Sequence, residues 1–200
     1  MDSPSRVFLL SPAHCGGKRA QLIMNEEATF PLARRLRSPE GAPLGETFAF
    51  LSGLYFRGKL AYAERFAGAE GAGPLVITAN RGLVPAGTRI GLEELRAFGT
   101  VDIHPGDERY RGPLVRDAAT IAAQAESVVL LGSVATGKYV DVLLETFGAR
   151  LLFPSAFVGR GDMSRGALLL RAARAGRELD YQPVVGATRR GPRPARIGSD

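Results

Sequence analysis

VVLLGSVATGKYVDVLLETFG, residues 128–148, contains the unit from which the fold is built. It begins with four contiguous apolar residues, passes through a polar loop, and then enters a segment, 138–147, whose apolar residues recur at helical spacing before Gly148. A short apolar run bounded by turn formers predicts a buried strand, and a glycine after the last periodic residue is typical of a helix end. The stretch therefore predicts a β-strand, a loop and an α-helix in succession.

Three further apolar runs have the same character, at residues 7–10, 75–78 and 150–153. Their apolar residues are contiguous instead of alternating, which is typical of strands covered on both faces in a parallel sheet flanked by helices. A weaker fifth run, 179–185, contains Pro183. Because proline cannot donate to a sheet ladder, this run favours an edge strand.

Helical patterns fill the segments between these strands. The sequence predicts two helices within residues 46–66, divided near Gly53 and Gly58; a helix over 113–125 that begins at Pro113; and a helix over 164–175 with Asp162 or Ser164 as N-cap and Gly176 as its stop. Strands that alternate with helices predict an α/β fold. We expect a three-layer α/β/α architecture with a mostly parallel central sheet of four to five strands.

Length and composition indicate one domain. Two hundred residues with 45% apolar content suffice for a single core, and we expect one α/β domain over residues 1–187. The remainder, 188–200, carries four arginines and one aspartate among prolines and glycines. It predicts a disordered basic tail that either keeps the protein soluble or attracts phosphate without specificity.

Several classes of protein have little support in this composition. No run approaches the roughly 20 apolar residues of a membrane helix, and the polar start has no apolar signal region behind it, so we expect a cytoplasmic protein. Cys15 is the single cysteine, which excludes an internal disulfide. His14 and His104 lie far apart, so the sequence predicts no metal site, and it indicates no cofactor.

The loop after the first strand, SPAHCGGKRA, offers a group for acid–base chemistry. His14 can act as an acid, a base or a hydrogen-bond donor, and Gly16 and Gly17 permit close backbone approach to a ligand. Ligands of open α/β sheets bind outside the carboxyl ends of the strands, where this loop is expected. Cys15 is interpreted as a small buried hydrophobe.

The loop after the second strand contains Asn80 and Arg81. An asparagine side chain both donates and accepts, which suits the edge of a nucleobase, and an arginine can contact phosphate or stack on a base. The alternative is that Asn80 merely forms a turn with Gly82.

The loop after the third strand, GSVATGKY, nearly fits the phosphate-binding pattern G-x-x-x-x-G-K-[ST]. Tyr139 departs from it, because that position needs a short hydroxyl that can reach a magnesium ion. An ATPase is therefore disfavoured, although Lys138 stays a candidate for phosphate contact.

The fourth strand leads into FPSAFVGRGDMSRG, the richest segment of the chain. Apolar residues flanked by arginines can wedge into a base stack while the cations hold phosphates. In the alternative, the apolar pair packs under the domain and the charges pair locally. The candidates are Phe157 and Val158 as the apolar pair, with Arg160, Asp162 and Arg165 beside them.

Together the four loops resemble the uracil-DNA glycosylase superfamily, over about 150 residues in matching order. VVLLGSVATGKY is similar to that family's strand with G-x-x-A and a following lysine. LLFPSAFVGRG is similar to its H-P-S-P or H-P-S-A segment, which continues into a DNA-intercalating loop. ITAN, ending in Asn80, resembles its base-reading strand end, and LLSP, ending in Ser11 and Pro12, its water-activating loop.

The resemblance implies a small α/β/α domain that flips a nucleotide out of DNA and hydrolyses its N-glycosidic bond without a cofactor. The resemblance implies that Asn80 contacts the base, that Ser155 contacts a phosphate, and that Phe157, Val158 and Gly159 form the wedge. Ser11 and Pro12 are further candidates at the base. The candidates for other DNA contacts are Arg81, Lys138, Arg160 and Arg165.

Two positions depart from the family pattern. Phe153 stands where the family has a histidine that stabilises the departing base, and SPAHC lacks the carboxylate or asparagine that positions water. His14 and Asp162 are the candidate replacements. We therefore expect a DNA-acting base-excision enzyme. The alternatives are a nucleic-acid-binding protein without catalysis and an enzyme that acts on free nucleosides or nucleotides in a deep closed pocket.

Overall fold

The computed structural model describes residues 6–67, 73–188 and 191. Strands and helices alternate along the described chain as the apolar runs predict. The strands are β1 (Arg6–Leu10), β2 (Ala42–Pro43), β3 (Leu75–Ile77), β4 (Leu83–Pro85), β5 (Arg89–Ile90), β6 (Ser127–Leu131), β7 (Leu151–Pro154) and β8 (Tyr181–Pro183). The helices are α1 (Lys18–Met24), α2 (Pro31–Arg37), α3 (Leu44–Ser52), α4 (Leu54–Phe66), α5 (Leu92–Phe98), α6 (Glu108–Ala122), α7 (Gly137–Phe147) and α8 (Asp162–Ala175).

The central sheet has six strands in the order β4-β3-β1-β6-β7-β8, and helices cover both faces in a three-layer α/β/α arrangement. The four inner strands are parallel, and the two edge strands run antiparallel to their neighbours. Phe8, Leu9 and Leu10 of β1 and the four residues 128–131 of β6 are fully buried. The contiguous apolar runs are thus covered on both faces, which confirms the predicted α/β class.

The strand count exceeds the four to five predicted because β4 was missed. It is only three residues long, and it folds back on β3 across a turn in which Gly82 adopts φ 66°. So short a segment carries no periodic signal of its own. The prediction that Pro183 marks an edge strand is confirmed, since β8 pairs with β7 alone.

Three predicted helix boundaries need correction. Gly53 divides residues 46–66 as expected, but Gly58 lies inside the continuous helix α4. Helix α6 begins at Glu108, because the Asp107 side chain accepts the Arg109 N–H as an N-cap, and Pro113 lies inside the helix. Neither predicted side-chain cap is used at α8, whose N-cap is Gly161. The stop at Gly176 is confirmed.

Helices α4 and α8 pack together through two glycines. An ideal Cβ on Gly166 would lie 2.8 Å from the Leu54 carbonyl oxygen and 2.8 Å from the Tyr55 Cα atom, so the two backbones touch where a side chain would stand. This crossing brings residues of α4 next to the start of α8. Residues of both helices thereby line one cavity.

The predicted basic tail, residues 188–200, lies outside the described residues except for positions 188 and 191. Among the helices that the structure describes, none combines the length and apolar character needed to cross a membrane.

Candidate functional site

The chain reverses its direction of travel across the sheet between β1 and β6. From β1 it crosses to β3 on one side, and after β3 and β4 it crosses back to β6 on the other side of β1. In open α/β sheets such a switch point leaves a crevice at the carboxyl ends of the two strands, and ligands bind there.

A cavity of about 420 Å³ lies at this position. Its walls come from the loops after β1 and β6, from helices α3 and α4, and from the start of α8. The lining residues are Ser11, Pro12, Ala13, His14, Ser52, Tyr55, Lys59, Ile103, Ser133, Thr136, Lys138, Tyr139, Asp162 and Met163. Cavities of this size, about 300 to 1,000 Å³, accommodate small organic ligands.

Five of the predicted site residues line this cavity: Ser11, Pro12, His14, Lys138 and Asp162. The first three follow β1, where the Ser11 N–H donates to the Leu131 carbonyl at 3.1 Å and ties the loop to β6. His14 and Lys138 are exposed at the cavity, and both can reach a ligand without rearrangement of the core.

The loop after β6 leads directly into helix α7. Thr136 is its N-cap, and the Thr136 hydroxyl accepts the Lys138 N–H at 3.1 Å. The Tyr139 hydroxyl donates to the Ser133 carbonyl at 2.9 Å, and this hydrogen bond connects the first turn of α7 to the loop before it. Burial raises the pKa of Tyr139, and hydrogen bonds to Ser11 and Ser133 oppose that rise.

Lys59 lines the cavity but was not predicted as a site residue from the sequence. Its side chain comes from α4 and is 1% exposed, and its Nζ atom donates to the Ser11 carbonyl at 2.6 Å and to the Ser11 Oγ atom at 2.9 Å. The ammonium lies 4.7 Å from the centre of the Tyr55 ring and 4.5 Å from that of Phe56. Burial lowers the pKa of Lys59 to about 7, and Asp162 partly opposes the change.

A signal for Lys59 was present in the sequence. It lies four residues after Tyr55 and four before Ala63, and both of these are buried. A lysine at the centre of an apolar helical face must either snorkel to the surface or lie at a polar site inside the protein. Here the second alternative holds.

Asp162 is the first residue of α8 and lies at the rim of the cavity. Its carboxylate lies 3.5 Å from Nη1 of Arg165, and its side chain is 69% exposed. The Arg165 guanidinium is itself buried and donates to the Phe157 carbonyl from both Nε and Nη2. Asp162 is thus held loosely and stays accessible, whereas Arg165 is occupied by the protein backbone.

The predicted wedge is wrong for Phe157. This ring is 1% exposed, packs against Tyr55 with ring centres 6.4 Å apart, and lies under the Arg165 guanidinium. A base-stack wedge must project from the surface, and here the apolar side chain packs under the domain. Val158 is half-buried against the core, and Gly159 adopts φ 72° in the turn that follows.

The polar neighbours of Phe157 do not line the cavity either. Ser155 donates through its hydroxyl to the Asp180 carbonyl at 3.2 Å. Arg160 donates to the Ala156 carbonyl at 2.8 Å and to the Ser164 hydroxyl at 3.3 Å. Ser155 therefore links the end of β7 to the segment before β8, and Arg160 stabilises the turn at the start of α8.

Asn80 and Arg81 lie at the same edge of the sheet but outside the cavity lining. The Asn80 amide donates to the Ala97 carbonyl at 3.1 Å, and its Oδ1 atom is buried without a hydrogen-bond partner among the described residues. Arg81 pairs with Glu94 at 2.9 Å. The structure does not bring Asn80 together with His14 and Asp162 around one ligand-sized space.

Cys15 is buried beside the cavity loop, and its thiol donates to the Ala13 carbonyl at 3.6 Å. Burial raises the pKa of this thiol to about 12, which keeps it protonated and unreactive near neutral pH. Among the described residues no group of three or more His, Cys, Asp or Glu side chains is placed to hold a metal ion.

Comparisons of the chain with protein-family models, with curated proteins and with solved structures find no significant match. The resemblance to the uracil-DNA glycosylase superfamily therefore stays a prediction from the motifs.

Proposed function

We propose that the protein is an enzyme that binds a nucleotide in the cavity between β1 and β6 and hydrolyses its N-glycosidic bond, with a nucleotide of DNA as the first candidate substrate. One observation supports the proposal. Three residues predicted from separate segments of the sequence line one cavity at the switch point of the sheet: His14, Asp162 and Lys138. A cytoplasmic location is part of the same proposal.

The reaction needs two kinds of stabilisation. As the bond between C1′ and the base nitrogen breaks, the sugar becomes an oxocarbenium-like cation and the bonding electrons pass to the base. The Asp162 carboxylate is accessible and can oppose the cation, while a protonated His14 can give its proton to the leaving base. Water then adds to C1′ and passes a proton to His14, so that a free base and a sugar hydroxyl result and the imidazolium is restored.

The experiment is incubation of the protein with DNA strands that carry normal and modified bases, followed by alkaline cleavage at abasic sites. Activity in the wild type that falls at least tenfold in Asp162→Asn and His14→Gln supports the proposal. The matched controls are Glu93→Gln, a carboxylate that pairs with Arg96 on the surface, and His104→Gln, the other histidine. Equal loss in the controls would contradict the assigned roles.

The buried position of Phe157 favours a second candidate, in which the same reaction occurs on a free nucleoside or nucleotide. A free ligand needs no wedge, because there is no base stack to open. Incubation with free nucleosides and nucleotides, followed by chromatography of released base, separates the two candidates. Salt-sensitive DNA binding without base release from any substrate would instead favour a nucleic-acid-binding protein without catalysis.

A further inference from the structure

The floor of the cavity holds an amine, that of Lys59, which forms no ion pair with any described carboxylate. Lys59 is buried, and its hydrogen-bond partners are two neutral oxygens of Ser11. No carboxylate of the described residues lies within ion-pair distance of its Nζ atom. The charged form of a buried amine without a counter-ion is disfavoured by desolvation, and an anionic ligand would offset that cost.

A second polar group at the same floor lacks a hydrogen-bond acceptor. The Tyr55 side chain is buried and lines the cavity, and its hydroxyl donates to no acceptor among the described residues. Burial raises the pKa of Tyr55, and the nearby Arg165 guanidinium opposes that rise, so the hydroxyl keeps its proton near neutral pH. The hydroxyl is thus a buried donor at the edge of the cavity, and no described acceptor takes its proton.

Another part of the lining comes from the loop before α7, an 11-residue helix, and from its first residues. Ser133, Thr136 and Lys138 line the cavity there, and the unsatisfied N–H groups of a helix N-terminus favour negative charge. Asp162 is the one carboxylate of the lining, and it lies toward Arg165 at the rim. The described lining has two lysines, Lys59 and Lys138, against this one carboxylate, so its charge favours an anion.

We propose that the cavity is a binding site for a phosphate group, held between Lys59 and Tyr55 on α4 and Lys138 with the N-terminus of α7. This deepens the proposed function and rests on it only in taking the phosphate to be part of a nucleotide. It assigns roles to Lys59 and Tyr55 and specifies that the ligand is phosphorylated. A nucleoside without phosphate would leave the Lys59 charge uncompensated.

Binding of phosphate at this site also has a consequence for protons. An anion beside Lys59 favours its charged form, so the complex keeps a proton that the free protein has largely released above pH 7. At about pH 8 binding is therefore expected to take up close to one proton, and affinity is expected to fall as the pH rises further.

The test is isothermal titration calorimetry of the full chain with inorganic phosphate and with pyrophosphate, repeated in buffers of different ionisation enthalpy. We expect saturable binding with proton uptake at about pH 8. Lys59→Met and Tyr55→Phe should each weaken binding, by tenfold or more for the lysine. The control is Lys18→Ala, which removes an exposed lysine outside the cavity and should leave affinity unchanged.

Tyr55→Phe keeps the experiment decisive if Lys59→Met disturbs folding, because it removes one oxygen and retains the ring. Absence of saturable binding of both anions would overturn the proposal. Binding that survives unchanged in Lys59→Met and Tyr55→Phe, or that is lost equally in Lys18→Ala, would overturn it as well. The assay for base release is separate, so failure here does not decide the N-glycosidic reaction, and failure there does not decide phosphate binding.

Discussion

A Cβ atom placed on Gly58 would lie 2.6 Å from the carbonyl oxygen of Gly166. Real Cβ atoms do not approach a backbone oxygen so closely, so helices α4 and α8 can cross at this separation only because both positions lack a side chain. The crossing sets Tyr55 and Lys59 on α4 beside Asp162 on α8. The shape of the cavity thus depends on two glycines that do not line it.

Gly166→Ala is expected to destabilise the protein by about 1 to 3 kcal/mol, because the added methyl group forces the α4 and α8 backbones apart. The measurement is urea unfolding followed by circular dichroism. Gly87→Ala is the control, since a Cβ at that position meets nothing within 4 Å. Equal stability of Gly166→Ala and wild type would contradict the close crossing.

Lys59 is expected to make stability depend on pH. The unfolded chain holds the Lys59 proton up to a pKa near 10.5, while burial lowers the folded-state pKa to about 7. Between these values the unfolded state binds more protons, so stability rises with pH. The free energy of unfolding of wild type minus that of Lys59→Met should therefore increase by about 2 kcal/mol from about pH 6.5 to about pH 8.5.

This second measurement uses urea unfolding at each pH, with both proteins in the same buffers. Groups other than Lys59 contribute equally to the two proteins and cancel in the difference. A difference that stays constant over this range would show that the folded-state pKa of Lys59 is not lowered.

Phe157→Ala is expected to cost about 3 kcal/mol or more of stability, because it leaves a cavity beneath Arg165 and against Tyr55. Thermal unfolding measures the loss. Met163→Ala, at a side chain that is 68% exposed, should change stability by less than about 0.5 kcal/mol. If Phe157→Ala were as stable as wild type but no longer distorted DNA, Phe157 would be a wedge residue after all.

Cys15 is expected to resist modification in the folded protein. With its pKa raised from 9.0 to about 12, its thiolate fraction at about pH 8 is roughly a thousandfold below that of an unfolded thiol. Reaction with a thiol-specific disulfide reagent should therefore be slow in buffer and fast in denaturant. Because Cys15 is the single cysteine, the signal needs no correction. Rapid reaction in the native protein would contradict burial of this thiol.

The layered fold could be read from particular runs of residues. Residues 7–10 and 128–131 are contiguous and apolar, and a strand of that composition is stable only where both faces are covered. Strand β4 and the start of α6 could not be read in this way. The first is too short to show a period, and the second depends on a cap by Asp107 upstream of the apolar pattern.

The site was predictable in part for a similar reason. His14, Lys138 and Asp162 lie in loops at strand ends or at a helix start, and the rule that ligands bind at the carboxyl ends of strands applies to them from sequence order alone. Phe157 follows a strand as well, yet its ring packs inward. The direction of a side chain in a short irregular loop depends on what it meets, and here that is Tyr55, about a hundred residues earlier in the chain.

By itself the sequence determined the α/β class, the parallel inner strands and the position of the loops at strand ends, because these follow from local periodicity and from the covering that apolar runs require. Only the tertiary structure decided that Lys59 lies under Ser11, that Tyr55 lacks an acceptor, and that Asn80 stands apart from His14 and Asp162. Those relationships depend on how α4 packs on β1 and α8, and contacts between distant segments leave no periodic signal in the chain.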